Sequence, residues 1–172
     1  NGSRLVFDAV NAAGGVHGRQ IKYQTLDDGF DVKRAVDNTR KLIEEDNVFM
    51  IYNNSGTAHT GAILPLLQDS RTIAFGPITG ASVFRDKFNP YLFHVRASYA
   101  NEARRIVSQL KQTGITRVAV FYQDDPFGKT LLAELKAAAQ AEQLPLLAEI
   151  KVDPKQPDFQ AAAGATEKAR PQ

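Results

Sequence analysis

The chain of 172 residues contains no cysteine, so disulfides, thiolate metal sites and cysteine nucleophiles are excluded. An excess of charge of one sign is also missing. Twenty-one Lys and Arg stand against 19 Asp and Glu, and the net +2 is scattered without a basic block. Neither a nucleic-acid nor a membrane-surface partner is suggested. The longest apolar runs fall well short of a membrane span, and no targeting segment is visible. There is no phosphate loop, no Gly-x-Ser-x-Gly elbow and no His-Glu-x-x-His pair. The three histidines, His17, His59 and His94, lie far apart in sequence and form no metal-spaced cluster with carboxylates. What is present is an ordinary 43% of apolar residues, enough core for one domain or parts of two.

Apolar spacing divides the chain into alternating helices and strands. Helices are predicted over residues 3–13, 31–45, 57–68, 99–113 and 129–142, with another from 158 onward. Buried-type strands are predicted over 21–26, 48–52, 72–75, 91–95, 117–122 and 146–151. The first helix carries Leu5, Val6, Ala9 and Val10 on one face, and Val32, Ala35, Val36, Thr39, Leu42 and Ile43 make the clearest stripe. The fourth is expected to turn Ala103, Ile106, Val107 and Leu110 to one side, and Pro65 to bend or weaken the third. Such alternation implies an α/β fold, with parallel sheets flanked by helices and covered on both faces. Residues 89–98 lack an amphipathic helix and join two βα blocks, which marks them as an interdomain crossing.

Two glycine-rich or acidic stretches read as turns. Gly14-Gly15-Val16-His17-Gly18 closes a helix, whereas a dinucleotide loop must open one, so it reads as a turn with His17 at the surface. Asp27-Asp28-Gly29 lacks a third oxygen ligand at suitable spacing and reads as turn and capping chemistry.

The informative stretch is Phe49-Met50-Ile51-Tyr52-Asn53-Asn54-Ser55-Gly56-Thr57-Ala58-His59-Thr60-Gly61, a strand that switches abruptly to small polar residues before a helix. It has two readings: an ordinary βα loop with Thr57 as N-cap, or an anion site at an open helix start. His59 reads as a partly exposed helix residue rather than a ligand donor. Gly76-Pro77-Ile78-Thr79-Gly80-Ala81-Ser82 repeats the design, and the two loops are expected side by side, with Thr79 and Ser82 supplying hydroxyls. A third strand-end loop is Gln123-Asp124-Asp125-Pro126-Phe127-Gly128. Its acid pair has no lysine partner at a later strand end, so metal-dependent catalysis is disfavoured. Hydroxyls, amides, glycines and aromatics suit holding a small polar molecule better than transforming it.

Phe7-Asp8-Ala9-Val10-Asn11-Ala12-Ala13-Gly14-Gly15-Val16-His17-Gly18-Arg19 resembles the start of periplasmic solute-binding proteins of the leucine/isoleucine/valine-binding class. Asp27-Asp28, the Asn54–Gly61 switch, Gly76-Pro77-Ile78-Thr79-Gly80, Phe93-His94-Val95-Arg96 and Tyr122-Gln123-Asp124-Asp125-Pro126-Phe127-Gly128 follow in matching order.

The resemblance implies a two-lobed type I periplasmic binding fold that closes on its ligand. Residues 1–95 would form most of lobe one, lacking its first strand, and 96–172 the first part of lobe two, lacking the remainder. By this likeness the chain looks like a fragment, and its open sheet edges would favour a homo-oligomer. The implied function is the substrate-binding component of an ABC transporter. It would bind an amino acid or similar small carboxylate in the periplasm, its signal peptide removed, and deliver it to an inner-membrane permease. Catalysis, a cofactor, a metal and nucleic acid are not expected. A ligand-sensing receptor domain is the alternative, and an α/β enzyme ranks below it. Carried over by position, the ligand carboxylate would meet Asn54, Ser55, Gly56 and Thr57, and the ammonium Ile78, Thr79 and Gly80. Tyr122 or Phe127 would close over the ligand. Leucine-type members carry a hydroxyl residue where Gly80 aligns, so branched-chain specificity is not carried over.

Overall fold

The computed structural model describes residues 2–172. The first helix, α1 (Gly2–Ala12), ends in the glycine turn, where Gly14 and Gly15 both take positive φ. The motif residue Asn11 then does strand-like work. Its amide nitrogen donates to the Ile21 carbonyl at 2.8 Å, and its Oδ1 accepts from the Ile21 N–H at 2.7 Å. This explains why residues 21–26 are not the strand their pattern predicts: Ile21 is held by a side chain, and no ladder partner exists among the described residues. The stripe of α1 also differs from expectation. Leu5 and Val6 face solvent, while Phe7 packs edge-on against Tyr23 and at 5.3 Å from Tyr52.

Helix α2 (Val32–Glu44) starts at Asp31, whose carboxylate accepts from the Arg34 N–H at 2.8 Å. Then come β1 (Met50–Tyr52), α3 (Thr57–Ser70), β2 (Ile73–Phe75) and β3 (Leu92–Phe93). The three strands form one parallel sheet in the order β1-β2-β3. Ile51, Ala74 and Leu92 point to one face and bury Ile63 and Leu67 of α3, with Val36, Leu42 and Ile43 of α2 behind them. The fully buried Ile63 and Leu67 side chains each contribute about 1.5–3 kcal/mol by leaving water. Pro65 sits inside α3 without ending it. The opposite sheet face departs from the two-sided cover expected of such strands. Phe75 and Phe93 remain 41% and 47% exposed, although Tyr52 of the aromatic cluster stacks on Phe75 at 6.4 Å.

A second sheet pairs β4 (Val118–Gln123) with β5 (Leu146–Val152), also parallel. Helices α4 (Tyr99–Gln112) and α5 (Pro126–Ala141) pack together through Ala103, Val107, Ala138 and Ala139. Ile106, expected on that face, is instead exposed. Helix α6 (Phe159–Ala169) covers Ile150 and Val152 through Ala162. No helix among the described residues is long and apolar enough to cross a membrane.

Candidate functional site

Strands β1 and β2 are adjacent and parallel, so the loops that leave their carboxyl ends run side by side. Ser55 and Ile78 form a parallel bridge: the Ile78 N–H donates to the Asn54 carbonyl at 2.8 Å and the Gly56 N–H to the Ile78 carbonyl at 3.3 Å. Beneath this bridge the hydroxyls of Thr57 and Thr79 meet at 2.9 Å, both buried. Thr79 Oγ1 also accepts from the Ala81 N–H. Ser55 and Ile78 stay exposed above it. Asn54, Ser55, Gly56, Thr57, Ile78, Thr79 and Gly80 are thus brought together at one sheet edge.

The turn into α3 depends on a left-handed backbone. Asn53 has φ 54° and Gly56 φ 102°. Gly56, rather than Thr57, is the cap residue, and it offers no side-chain acceptor. The first intrahelical bond runs from the Thr60 N–H to the Gly56 carbonyl at 2.9 Å. The N–H groups of Thr57, Ala58 and His59 therefore meet no acceptor among the described residues. Asn54 donates to Thr60 Oγ1 at 2.8 Å, while its own Oδ1 is buried without a partner.

The segment between the second loop and α4 folds back along that loop. Arg85 donates to the carbonyls of Thr79 at 3.3 Å and Arg96 at 3.0 Å. Burial holds its guanidinium below its ordinary pKa, and the Arg96 charge adds to that. Arg96 in turn pairs with Glu102 and lies over the Tyr99 ring. The Tyr99 N–H donates to the Gly80 carbonyl at 2.7 Å, so the start of α4 docks on the site loop. A Cβ at position 80 would lie 2.5 Å from Tyr99 Cδ1 and 2.8 Å from its backbone nitrogen. Gly80 is therefore a close-approach residue, and a hydroxyl side chain does not fit this arrangement.

Phe127 stacks edge-on against Tyr99 at 5.7 Å, which places it beside the second loop. It lies in the first turn of α5 and not in a loop, because Asp125 caps the helix three residues earlier than the apolar pattern suggests. Tyr122 lines a shallow depression of about 470 Å³ with Lys129, Leu132 and Lys136, to which neither site loop contributes. Ser82 hydrogen-bonds to Glu134 of α5, a direct bond between the β2 loop and the β4–β5 unit. The acid pair after β4 is occupied: Asp124 binds Lys129 at 2.7 Å, which holds its carboxyl below the usual range. Asp124 also pairs with Lys151 at 3.6 Å, so a lysine partner does stand near a later strand end, that of β5, against the expectation from the sequence. Asp27 and Asp28 accept from the Gly29 and Phe30 N–H groups at 2.8 Å, as turn chemistry requires.

Three residues of this region escape the sequence pattern. Tyr99 and Arg85 act through backbone carbonyls, which leaves no motif. His59, expected to be partly exposed, is only 4% exposed, and its spacing of three from the cap Gly56 is the one signal that turns it inward.

Among curated proteins none matches the chain. Several solved structures do. A substrate-binding periplasmic protein from Ralstonia solanacearum is 30% identical with a TM-score of 0.87, over 95% of this chain and 46% of that one. An extracellular ligand-binding receptor from Verminephrobacter eiseniae is 26% identical with a TM-score of 0.83, over the same shares. A possible leucine/isoleucine/valine-binding protein from Rhodopirellula baltica is 28% identical with a TM-score of 0.79, over 88% of this chain and 42% of that one. The chain thus spans about half the length of these relatives. A family model described as periplasmic binding protein matches residues 1–172, and the chain belongs to that family.

Proposed function

We propose that this chain grips the ligand in a periplasmic solute-binding protein, taking up an amino acid or similar small carboxylate for an inner-membrane ABC permease. The observation that carries this reading is the start of α3. Its three N–H groups lack acceptors and lie beside the hydroxyl-bearing loop after β2, an arrangement suited to a carboxylate. In this reading the carboxylate sits on Asn54, Ser55, Gly56 and Thr57, and the backbone of Ile78, Thr79 and Gly80 with the Thr79 hydroxyl receives the ammonium. Residues 1–95 act as one lobe and 96–172 as part of the other, with Phe127 or Tyr122 closing from the second. Likeness to the possible leucine/isoleucine/valine-binding protein of R. baltica supports the amino-acid class. A sensing role is the second reading, favoured by likeness to the extracellular ligand-binding receptor of V. eiseniae.

Titration calorimetry with L-leucine, L-leucinamide, isovalerate and AMP tests the ligand class. Binding of leucine or isovalerate with loss of binding to the amide is expected. Binding of AMP alone overturns the proposal.

A further inference from the structure

His59 is the third residue of α3 after its cap, and its ring turns back toward Gly56: Nδ1 lies 2.5 Å from the position a Cβ of Gly56 would take. The side chain is 4% exposed, yet neither ring nitrogen has a hydrogen-bond partner. A neutral imidazole carries one donor and one acceptor, and burying both unpaired is costly. Packing alone does not account for a histidine here, since a phenyl ring fills similar space without that cost. One ring face is covered by Phe30, whose centroid lies 4.5 Å away. Phe30 is itself 66% exposed and has φ 58°, a conformation that a bulky residue seldom keeps without reason. The cover therefore comes from a turn at the surface, just beyond the Asp27 and Asp28 bonds.

We infer that His59 is a ligand-recognition residue, its imidazole N–H donating to the carboxylate held at the start of α3, with Phe30 as an aromatic cover that moves aside on binding. This rests on the proposed function and adds to it a side-chain donor that reads the carboxylate from behind Gly56. The free N–H groups of Thr57, Ala58 and His59 and the unpaired imidazole then face the same anion, which gives every orphan donor of the first turn an acceptor.

His59→Phe in the full chain tests the inference by two readouts. Without ligand, its melting temperature is expected to equal or exceed that of the parent, because two unpaired polar atoms are removed. A drop of several degrees shows instead that the imidazole serves a contact within the protein, and overturns the inference with or without a known ligand. With L-leucine or isovalerate, whichever the parent binds, the dissociation constant is expected to rise about tenfold or more. An unchanged constant overturns the role of His59 and leaves the proposed function standing. A parent that binds neither probe excludes a branched-chain ligand, and the melting comparison still decides whether His59 is unpaired. Phe30→Ala checks the cover: His59 should become reactive toward diethyl pyrocarbonate, mapped by mass spectrometry, and an unaltered rate removes Phe30 from the inference.

Discussion

Helices α3 and α5 both leave the carboxyl end of a parallel strand, yet their first turns are finished in opposite ways. At α5, Asp125 accepts from the Gly128 N–H at 2.8 Å, and Pro126 removes one orphan donor altogether. At α3 the cap is Gly56, which has nothing to offer. Of the five α-helices whose cap is described, four carry a bonded side chain: Asp31, Ser98, Asp125 and Asp158. The same local problem is thus solved internally at the structural junctions and left open at the one beside the second site loop. An open helix start costs stability in the empty protein and offers affinity to an anion.

Substitutions at the two junctions sharpen that contrast. The largest effect is expected from Gly128→Ala. Its Cβ would lie 2.1 Å from the Gln123 carbonyl oxygen and 2.7 Å from the Gln123 nitrogen, and backbone cannot yield as a flexible side chain does. A loss of about 3 kcal/mol or more in chemical denaturation is expected, and a variant as stable as the parent would show that the tight junction at α5 is not rigid. Next comes Thr79→Val, which strands the buried Thr57 hydroxyl and deprives the Ala81 N–H of its acceptor. That should cost about 1–3 kcal/mol and weaken ligand binding as well, since it removes the side-chain contact between the two site loops. Full affinity in this variant would detach the second loop from the site.

Asp125→Ala removes only the cap, so about 1 kcal/mol is expected, or roughly 2–4 °C in melting temperature. The sharper readout is the increment that ligand adds. If the anion sits at α3, ligand should raise the melting temperature of parent and variant equally. A larger increment in the variant would move the anion to α5 and reverse the comparison.

Much of this contrast is legible in residues and part of it is not. The alternation of elements, the glycine turn after α1 and the adjacent loops at Asn54–Thr57 and Ile78–Gly80 follow from period and turn chemistry, which are local. The expected strand at 21–26 fails because a strand is defined by a partner, and Asn11 satisfies Ile21 instead. The cap at α3 falls on Gly56 and not Thr57 because a residue at φ 102° excludes side chains, a fact of backbone geometry. Helix α5 begins early because Asp125 and Pro126 outweigh the apolar stripe that starts further along. Tyr99 and Arg85 bind carbonyls, and carbonyls are the same at every position of a sequence.

The smallest effect concerns His94, in the segment between β3 and α4. Its Nε2 lies 3.1 Å from the Phe84 carbonyl, and Nδ1 is buried without a partner. Burial pushes its pKa below the ordinary 6.5, the bond to Phe84 works against that shift, and the Arg85 charge adds to it. The unfolded chain therefore takes up a proton near pH 6.5 while the folded chain resists it. The stability tied to this group is complete above that pH and is lost as the pH falls through and below 6.5. His94→Gln should flatten this part of the pH–stability curve without moving the Asp125 increment, because the two sites are independent. A slope that survives the substitution would assign the acid sensitivity to other groups.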